Sequence, residues 1–396
     1  MISRHLVLAG AGHAQLDLLS ALSAGVPSGW KVSVVTPQPA FHYSGMLPAV
    51  IAGNVSPAAA DILVAAIARA AGVEVHIAPV VALDAHARKL TLGGGTTLTY
   101  DLLSLDVGSV PAGLDAVPGA RAHAFVMKPF ASALQLMAHL DAVCSKSDAP
   151  PPVPVVVVGA GAAGVEIALA LNVRIARAHR TSQITLVDPE ARDGAPLPGF
   201  APRVRRLAQR VLQRNGIRIL GGAVTSVAAD RVGVSVRRES VELPTVATVW
   251  VSGAASHPWL AESGLSCDER GYPYASALLS LKSDDSVFGG GDCITLSSAP
   301  TTPKAGVFAV RMAPVLADNV LRVMRGEQPA AEFIPQRNFL ALLSTGTGSA
   351  ILRWNAVTFE SRAAQWLKDR IDSAYLNRYR ALPTSGESIP PPVGLP

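Results

Sequence analysis

The stretch Leu6-Val-Leu-Ala-Gly10-Ala-Gly12-His13-Ala14-Gln15 decides the fold, together with its counterpart Val155-Val-Val-Val-Gly159-Ala-Gly161-Ala-Ala-Gly164. Each is a run of apolar strand residues that passes through glycines into a helix-like segment. In a G-x-G-x-x-G turn the first glycine permits the tight turn, the second lets the backbone approach a pyrophosphate, and the third lets helix pack on strand. One such turn is a weak signal. Two of them indicate two bound dinucleotides, and the usual pair is a flavin and a nicotinamide.

The composition is typical of an α/β protein with buried parallel strands. The chain has 396 residues, 49% hydrophobic and only 5% aromatic, which is enough for two or three domains with Ala-rich helices. The mean hydropathy is +0.32, but no window of about 18 uninterrupted apolar residues exists. The N-terminus leads directly into a strand without the regions of a signal peptide, so a cytoplasmic location is expected.

The charge and the cysteines exclude several classes of function. A net charge of +5 could help at an anionic membrane surface but does not indicate a nucleic-acid partner. The three cysteines, Cys144, Cys267 and Cys293, are far apart and form no C-x-x-C pair. Neither a metal site nor a dithiol redox centre is therefore predicted.

Further stretches carry a resemblance to a known family. They are Phe41-His-Tyr-Ser-Gly-Met-Leu-Pro-Ala-Val-Ile-Ala-Gly53, Met127-Lys-Pro-Phe130, Pro303-Lys-Ala-Gly-Val-Phe-Ala-Val-Arg311, Pro335-Gln-Arg-Asn-Phe-Leu-Ala-Leu-Leu-Ser-Thr-Gly346 and Trp366-Leu-Lys-Asp-Arg-Ile371. With these, the chain resembles FAD-dependent flavoproteins of the pyridine nucleotide-disulfide oxidoreductase superfamily, in the type II NADH dehydrogenase branch. It is most similar to the reductase-like domains associated with selenide, water dikinase.

The resemblance implies two Rossmann-like dinucleotide-binding domains, arranged as in glutathione reductase, and a C-terminal cap. Residues 1–150 and 272–330 would form a discontinuous FAD domain, and residues 151–271 the NAD(P)H domain. Residues 331–382 would form the cap or an interface. The remaining residues, 383–396, are rich in Pro, Ser and Gly and are predicted to be a disordered tail.

The resemblance also implies which residues bind the cofactors. FAD would lie on the first turn and NAD(P)H on the second. Asp292, after Gly291, would contact the ribityl-pyrophosphate region, and the helix from Ala305 onward would point its positive end at the flavin. The predicted cofactor-binding residues are Gly10, Gly12, His13, Ala14, Thr36, Lys128, Gly159, Gly161, Gly164, Asp188, Gly291, Asp292 and Ala305.

Two departures from the family's pattern and one acidic residue refine the expected binding of the two cofactors. Gln15 replaces the third glycine of the first turn and would crowd the packing of helix on strand. Thr36 stands where an acid normally binds the adenosine ribose. Asp188 follows the second-domain strand, where a carboxylate binds a ribose 2′-hydroxyl and repels a 2′-phosphate, so NADH is expected to be preferred. Arg180 and Arg192 are close enough in sequence to soften that preference.

Four residues are candidates for catalysis. Glu166 matches a glutamate that approaches the flavin in type II NADH dehydrogenases, although a charge at a helix start is also favourable without catalysis. His42 and Tyr43 lie in the loop expected beside the flavin ring, where a packing role is equally compatible. Lys304 could add positive charge near the flavin or be a surface lysine.

The missing cysteine pair directs attention to the electron acceptor. Electrons would leave the flavin directly for a quinone-type acceptor, yet the glutamines of the type II enzymes' quinone motif are absent from residues 305–311. A C-terminal apolar stripe at helical spacing, flanked by basic residues, could lie on a membrane; packing on the flavin domain or a homodimer remain open. The stripe comprises Phe359, Ala363, Trp366, Leu367, Ile371, Ala374 and Tyr375. A soluble reductase with another small-molecule acceptor and a non-catalytic redox sensor are the alternative functions.

Overall fold

A computed structural model describes residues 3–147, 151–191, 193–282 and 284–384. Residue 192 and most of the predicted tail, from residue 385 onward, lie outside the described residues. The α-helices are α1 (Leu16–Leu22), α2 (Leu47–Ile51), α3 (Val64–Ala70), α4 (Ala120–His123), α5 (Phe130–Ser145), α6 (Ala162–Arg177), α7 (Pro202–Arg214), α8 (Pro258–Ala261), α9 (Gly306–Met324) and α10 (Arg362–Arg380).

The strands alternate with these helices along the chain. The first half contains β1 (Arg4–Ala9), β2 (Trp30–Thr36), β3 (Phe41–His42), β4 (Asp61–Ile62), β5 (Glu74–Ile77), β6 (Val80–Asp84), β7 (Lys89–Leu92), β8 (Thr97–Thr99), β9 (Leu102–Leu105), β10 (Val110–Pro111), β11 (Ala124–Val126), β12 (Val153–Val158) and β13 (Ser182–Val187). The second half contains β14 (Arg218–Leu220), β15 (Ala223–Val227), β16 (Arg231–Val236), β17 (Glu239–Pro244), β18 (Ala247–Trp250), β19 (Ala254–Ala255), β20 (Tyr274–Ala275), β21 (Ser280–Leu281), β22 (Asp284–Gly289), β23 (Thr295–Leu296), β24 (Ala341–Ser344), β25 (Ala350–Trp354) and β26 (Val357–Ser361).

The first large sheet joins strands from both ends of the chain. Its order is β23-β20-β21-β22-β9-β1-β2-β5, and the strands from β22 to β5 are parallel. β1 and β9 have almost no exposed side-chain surface beyond their first residues, as expected for strands covered on both faces. Because β22, β9 and β1 are adjacent, the chain segments that follow their carboxyl ends meet at one edge of this sheet.

The second large sheet is parallel throughout. Its order is β11-β18-β12-β13-β14, and the second glycine turn connects β12 to α6. Two mainly parallel sheets, each with a glycine turn between one of its strands and a helix, confirm the predicted α/β class.

Several short strands and the C-terminal part are less visible in the sequence. The short strands β6, β7 and β8 form an antiparallel sheet. A second antiparallel sheet, β24-β25-β26, precedes α10. Phe359, predicted to belong to the C-terminal helical stripe, lies in β26 instead, because Ser361 caps α10 by accepting the Ala364 N–H.

The C-terminal helix buries a face that differs from the predicted apolar stripe, although Tyr375 of the stripe is half-buried. Its buried residues are Ala364, Lys368, Asp372, Leu376 and Tyr379, while Trp366 is 62% exposed. The Tyr379 hydroxyl donates to Asp17 of α1 at 2.6 Å, which fixes the end of α10 on the first domain. Charged residues thus point inward and much of the apolar stripe faces outward.

Candidate functional site

A cavity of about 1080 Å³ lies between the two large sheets and the C-terminal helix. Its wall runs from the second glycine turn to the start of α9 and to α10. Both sheet units and the segment from Leu340 to α10 contribute residues, including Tyr43, Lys128, Gly159, Gly161, Glu166, Asp188, Glu190, Asp292, Lys304, Ala305, Leu340, Leu342, Lys368, Ile371, Asp372 and Tyr375. Most of the predicted site residues therefore face one common space.

The second glycine turn has the shape that a dinucleotide pyrophosphate needs. A Cβ on Gly164 would lie 1.9 Å from the Gly159 carbonyl oxygen, so only glycine lets α6 pack this close to β12. A Cβ on Gly161 would meet open space, which leaves the backbone approachable from the cavity. The first N–H groups of the helix that begins at Ala162 lack intrahelical acceptors and point to that space. These residues fit a bound pyrophosphate.

The first glycine turn is equally tight, but Gln15 takes the place of its third glycine. Gly10 has φ +94°, and a Cβ there would lie 2.1 Å from the Asp106 carbonyl oxygen. Gln15 is 2% exposed, and its Nε2 donates to the Ser104 carbonyl oxygen at 2.6 Å. The glutamine therefore bonds to the neighbouring strand β9, which explains how the turn accommodates a side chain where glycine is usual.

Asp188 lies at the end of β13 and faces the cavity. Its Oδ2 accepts the Ala160 N–H at 2.7 Å and its Oδ1 accepts the Glu190 N–H at 2.8 Å. The carboxylate thus braces the glycine turn, and Glu190 adds a second negative charge to the same wall. Arg180 points elsewhere, because its guanidinium donates to the backbone carbonyls of Cys144 and Lys146.

Asp292 and Lys128, both predicted at the flavin site, are brought together. The Lys128 ammonium lies 3.4 Å from Asp292 Oδ2, and the Ser109 hydroxyl donates to the same oxygen at 3.4 Å. The Asp292 side chain is 16% exposed, and all three residues line the cavity. Its second carboxylate oxygen is free to accept hydroxyl groups of a ribityl chain.

We expect Asp292→Ala to raise the dissociation constant for FAD about 10- to 100-fold, since a hydrogen bond to a charged group is lost. Asp292→Asn, which keeps an acceptor, should lose less. The measurement is the fluorescence of FAD released on dilution. Asp285→Ala, in an exposed position of β22, the strand that precedes Asp292, is the matched control. Equal FAD retention in the Asp292→Ala and control proteins would contradict the assignment.

Glu166, near the start of α6, belongs to a buried polar network in the cavity wall. Its Oε1 accepts the Ser344 N–H at 2.7 Å, and burial raises the pKa of the carboxyl to about 7, although the charge of Lys368 opposes the shift. The Lys368 ammonium donates to the Gly45 carbonyl oxygen and to Asp372 Oδ2, both at 2.8 Å. An acid that titrates near neutrality therefore lies beside a buried ion pair.

Tyr43 and Tyr375 complete this network. The Tyr43 hydroxyl donates to Asp372 Oδ1 at 2.9 Å, and burial together with that carboxylate raises the pKa of Tyr43. The Tyr375 ring lies 4.8 Å from the Tyr43 ring, and its hydroxyl lies 2.6 Å from His13 Nδ1. Burial lowers the pKa of His13 to about 4, so this imidazole is neutral at physiological pH.

His42, Thr36 and Lys304 were also predicted, and their contacts lie outside this network. His42 does not line the cavity; its Nδ1 is 2.6 Å from Asp61 Oδ1 and its ring stacks on Phe130. The Thr36 hydroxyl donates to the Gln38 carbonyl oxygen at 2.9 Å. The Lys304 ammonium borders the cavity but lies 4.1 Å from the centre of the Tyr272 ring and donates to the Ile294 carbonyl oxygen. Burial lowers the pKa of Lys304 to about 8.

Lys368, Asp372 and Asp106 are functional candidates that reasoning from the sequence missed. Lys368 was visible only as one of several basic residues beside the apolar stripe. Asp372 lies four residues later, a spacing that places both side chains on one helix face. Asp106 directly follows an apolar strand that pairs with β1, and this position could have signalled it.

Comparison with known proteins agrees with this geometry. The family model for pyridine nucleotide-disulphide oxidoreductase matches residues 4–313. A curated relative, the external alternative NAD(P)H-ubiquinone oxidoreductase B4 of Arabidopsis thaliana mitochondria, is 27% identical over 325 residues, which are 74% of this chain and 55% of the relative. The chain thus spans about half the length of that protein.

Solved structures show the same fold. NDH2 from Plasmodium falciparum in complex with NADH superposes with a TM-score of 0.81 at 13% identity, over 96% of each chain. The sulfide:quinone oxidoreductase from Aquifex aeolicus gives 0.77 at 16% identity, over 96% of this chain and 92% of that one. FAD and a pyridine nucleotide are the cofactors of the matched family, as predicted. The chain belongs to the pyridine nucleotide-disulphide oxidoreductase family.

Proposed function

We propose that the chain oxidises NADH and passes the electrons through FAD directly to a quinone-type acceptor, without a cysteine relay. Two similarities support this acceptor: the Arabidopsis relative is an NAD(P)H-ubiquinone oxidoreductase, and the Aquifex structure is a sulfide:quinone oxidoreductase. The observation that carries the proposal is the polar network of Glu166, Lys368 and Asp372 in the cavity wall. The same cavity is also lined by the apolar side chains Leu340, Leu342 and Ile371.

This combination suits a flat, apolar molecule whose carbonyl groups become hydroxyl groups. Bound FAD supplies the chemistry that moves two electrons from NADH to the acceptor. Reduction of a quinone to a quinol also consumes two protons. Glu166 holds a proton near neutral pH, and the Lys368–Asp372 pair with the Tyr43 hydroxyl can replace that proton after its transfer.

The test of this function is NADH-dependent turnover of the purified flavoprotein with quinones, dioxygen, and selenium or sulfur oxidants. Quinone turnover well above the rate with the other acceptors supports the proposal. Turnover confined to another small oxidant would favour the soluble reductase, and flavin reduction without turnover on any acceptor would favour a redox sensor.

The cysteines lie away from the proposed electron path. Cys144 and Cys293 are buried, Cys267 is half-buried, and none of them lines the cavity. The Cys293 thiol donates to the Gly290 carbonyl oxygen at 3.2 Å, and burial raises its pKa to about 12, so the reactive thiolate is absent at neutral pH.

Replacing all three cysteines by serine should leave flavin reduction and quinone turnover within about twofold of the original rates, because a serine hydroxyl can make the same donor contact. Rapid-mixing kinetics of both half-reactions measure this. A large loss of turnover in a folded, FAD-containing triple variant would reveal a thiol relay.

Five apolar side chains of β25, β26 and α10, the C-terminal surface, are exposed. They are Trp354, Val357, Phe359, Trp366 and Ile371, each between 42% and 62% exposed. Ile371 also lines the cavity, and the Arg370 guanidinium lies 5.7 Å from the Trp366 ring centre. Among the described residues, no helix is long and apolar enough to cross a membrane. An exposed aromatic ring beside a basic side chain, as in Trp366 and Arg370, suits the interface of an anionic bilayer.

Trp366→Ser should weaken binding to anionic liposomes at least about threefold, because a large exposed aromatic ring is lost. Sedimentation with liposomes measures the effect. Trp259→Phe, a conservative change outside the C-terminal surface, is the control. Unchanged liposome binding, or a shift from dimer to monomer on substitution, would assign this surface to packing between two copies of the chain.

A further inference from the structure

Asp106 occupies the point at which three strands of the first sheet end. It directly follows β9, between β1 and β22, and is 4% exposed. The glycine turn after β1 lies on one side of its carboxyl group, and the glycine segment after β22 on the other. No step of the proposed reaction uses this residue.

The carboxyl group fills the space between these two glycine segments. A Cβ on Gly12 would lie 2.7 Å from both of its oxygens, and a Cβ on Gly291 would lie 2.6 Å from Oδ1. Asp106 Oδ2 accepts the Gln15 N–H at 3.0 Å, and the carboxyl group also accepts a hydrogen bond from the Ala14 N–H. Asp106 therefore occupies part of the N–H cradle that the first turn offers to the FAD pyrophosphate.

One further carboxylate, that of Asp292, acts on the Asp106 carboxyl group. Asp292 raises its pKa, and Lys128, which is also the partner of Asp292, opposes that effect. The other titratable groups facing this region are His13, Cys293, Tyr375 and Lys304, of which His13 is neutral and Cys293 and Tyr375 are un-ionised at neutral pH. A pyrophosphate on the first glycine turn would bring two more negative charges close to the Asp106 carboxyl group.

We propose that Asp106 is protonated when FAD is bound, so that FAD binding takes up a proton and the protein holds FAD more weakly as pH rises. The neutral acid keeps the glycine turn in place without repelling the pyrophosphate. The inference rests on FAD at the first glycine turn. If the purified protein contains no FAD, the proposed function fails; if FAD is held equally at all pH values, only this inference fails.

The direction of the pH dependence follows from linkage. Burial raises the pKa of Asp106 to about 7 before FAD is present, and nearby phosphate charges raise it further. Below about pH 7 the residue is protonated in both states, so FAD affinity is constant. Above that pH the FAD-free protein loses the proton first, and the dissociation constant should rise up to about tenfold per pH unit.

The experiment measures FAD released from the holoprotein on serial dilution, by flavin fluorescence, between pH 6 and pH 9. In the original protein, the dissociation constant for FAD should not change with pH below about pH 7 and should rise above that pH. Asp106→Asn keeps an acceptor for the Gln15 N–H and should retain FAD with little pH dependence. Asp101→Asn, at the opposite edge of the same sheet, should follow the original protein.

Lys304 titrates in the same range, so Lys304→Met serves as a second control and should keep the pH dependence. A pH-independent constant in the original protein, or the same slope in Asp106→Asn, would overturn the inference. If Asp106→Asn does not fold, proton uptake during FAD rebinding to the Lys304→Met protein decides. Close to one proton per FAD at about pH 8 supports the inference, and no uptake contradicts it.

Discussion

Glu166→Gln is expected to lower the rate of quinone reduction about 10²- to 10³-fold, the range lost when a general acid is removed. NADH-driven reduction of the flavin should remain within a few-fold of the original rate. Glutamine preserves the size of the side chain and its acceptor for the Ser344 N–H, so β24 and α6 keep their contact. Only the transferable proton is lost.

The pH dependence provides an independent check on the same residue. The pKa of Glu166 is about 7 and the protonated form is the proton donor, so the rate of quinone reduction should be constant below about pH 7 and fall above it. In Glu166→Gln this fall should disappear. Single-turnover kinetics of the two half-reactions, with the exposed Glu262→Gln as control, separate the two effects. Equal loss of both half-reactions would show that Glu166 supports the structure rather than proton transfer.

The second large effect concerns the nicotinamide. Asp188→Arg should shift the ratio of kcat/KM for NADH to that for NADPH about 10²-fold toward NADPH, because a charge that repels the 2′-phosphate becomes one that attracts it. Asp188 also braces the glycine turn through the Ala160 and Glu190 N–H groups, so the variant should be slower with both nucleotides.

Two further variants separate the hydrogen bonds that Asp188 accepts from the glycine turn from the effect of its negative charge. Asp188→Asn keeps an acceptor for the turn and should weaken discrimination without reversing it. Glu190→Arg leaves the Asp188 contacts in place, since those use the Glu190 backbone, and should move the ratio in the same direction as Asp188→Arg. A clear preference of the original protein for NADPH would contradict the role given to Asp188.

The parts of the structure that the sequence could predict depend on local signals. A run of valines before Gly159, or of apolar residues before Gly10, determines a strand, a turn and a helix within about 20 residues. Asp292 and Lys128 were each predicted near the flavin, and the structure brings them within 3.4 Å. In such cases the functional residue is close in sequence to the strand or helix that positions it.

The parts that could not be predicted depend on partners far away in the chain. The spacing of Trp366, Ile371 and Tyr375 predicts an amphipathic helix but not which face is buried. Lys368 and Asp372 are buried because they bond to Gly45 and Tyr43, more than 300 residues earlier. The sequence did not indicate that the His42 ring bonds to Asp61 and stacks on Phe130. These contacts hold the ring away from the cavity.

The most direct test of the proposed function is rapid mixing of the NADH-reduced protein, under anaerobic conditions, with a quinone. We predict full reoxidation of the flavin by a stoichiometric amount of quinone, faster than with dioxygen or with selenium and sulfur oxidants, and unchanged when the three cysteines are replaced. A flavin that stays reduced with every quinone, yet is rapidly reoxidised by another small oxidant, would contradict the proposal.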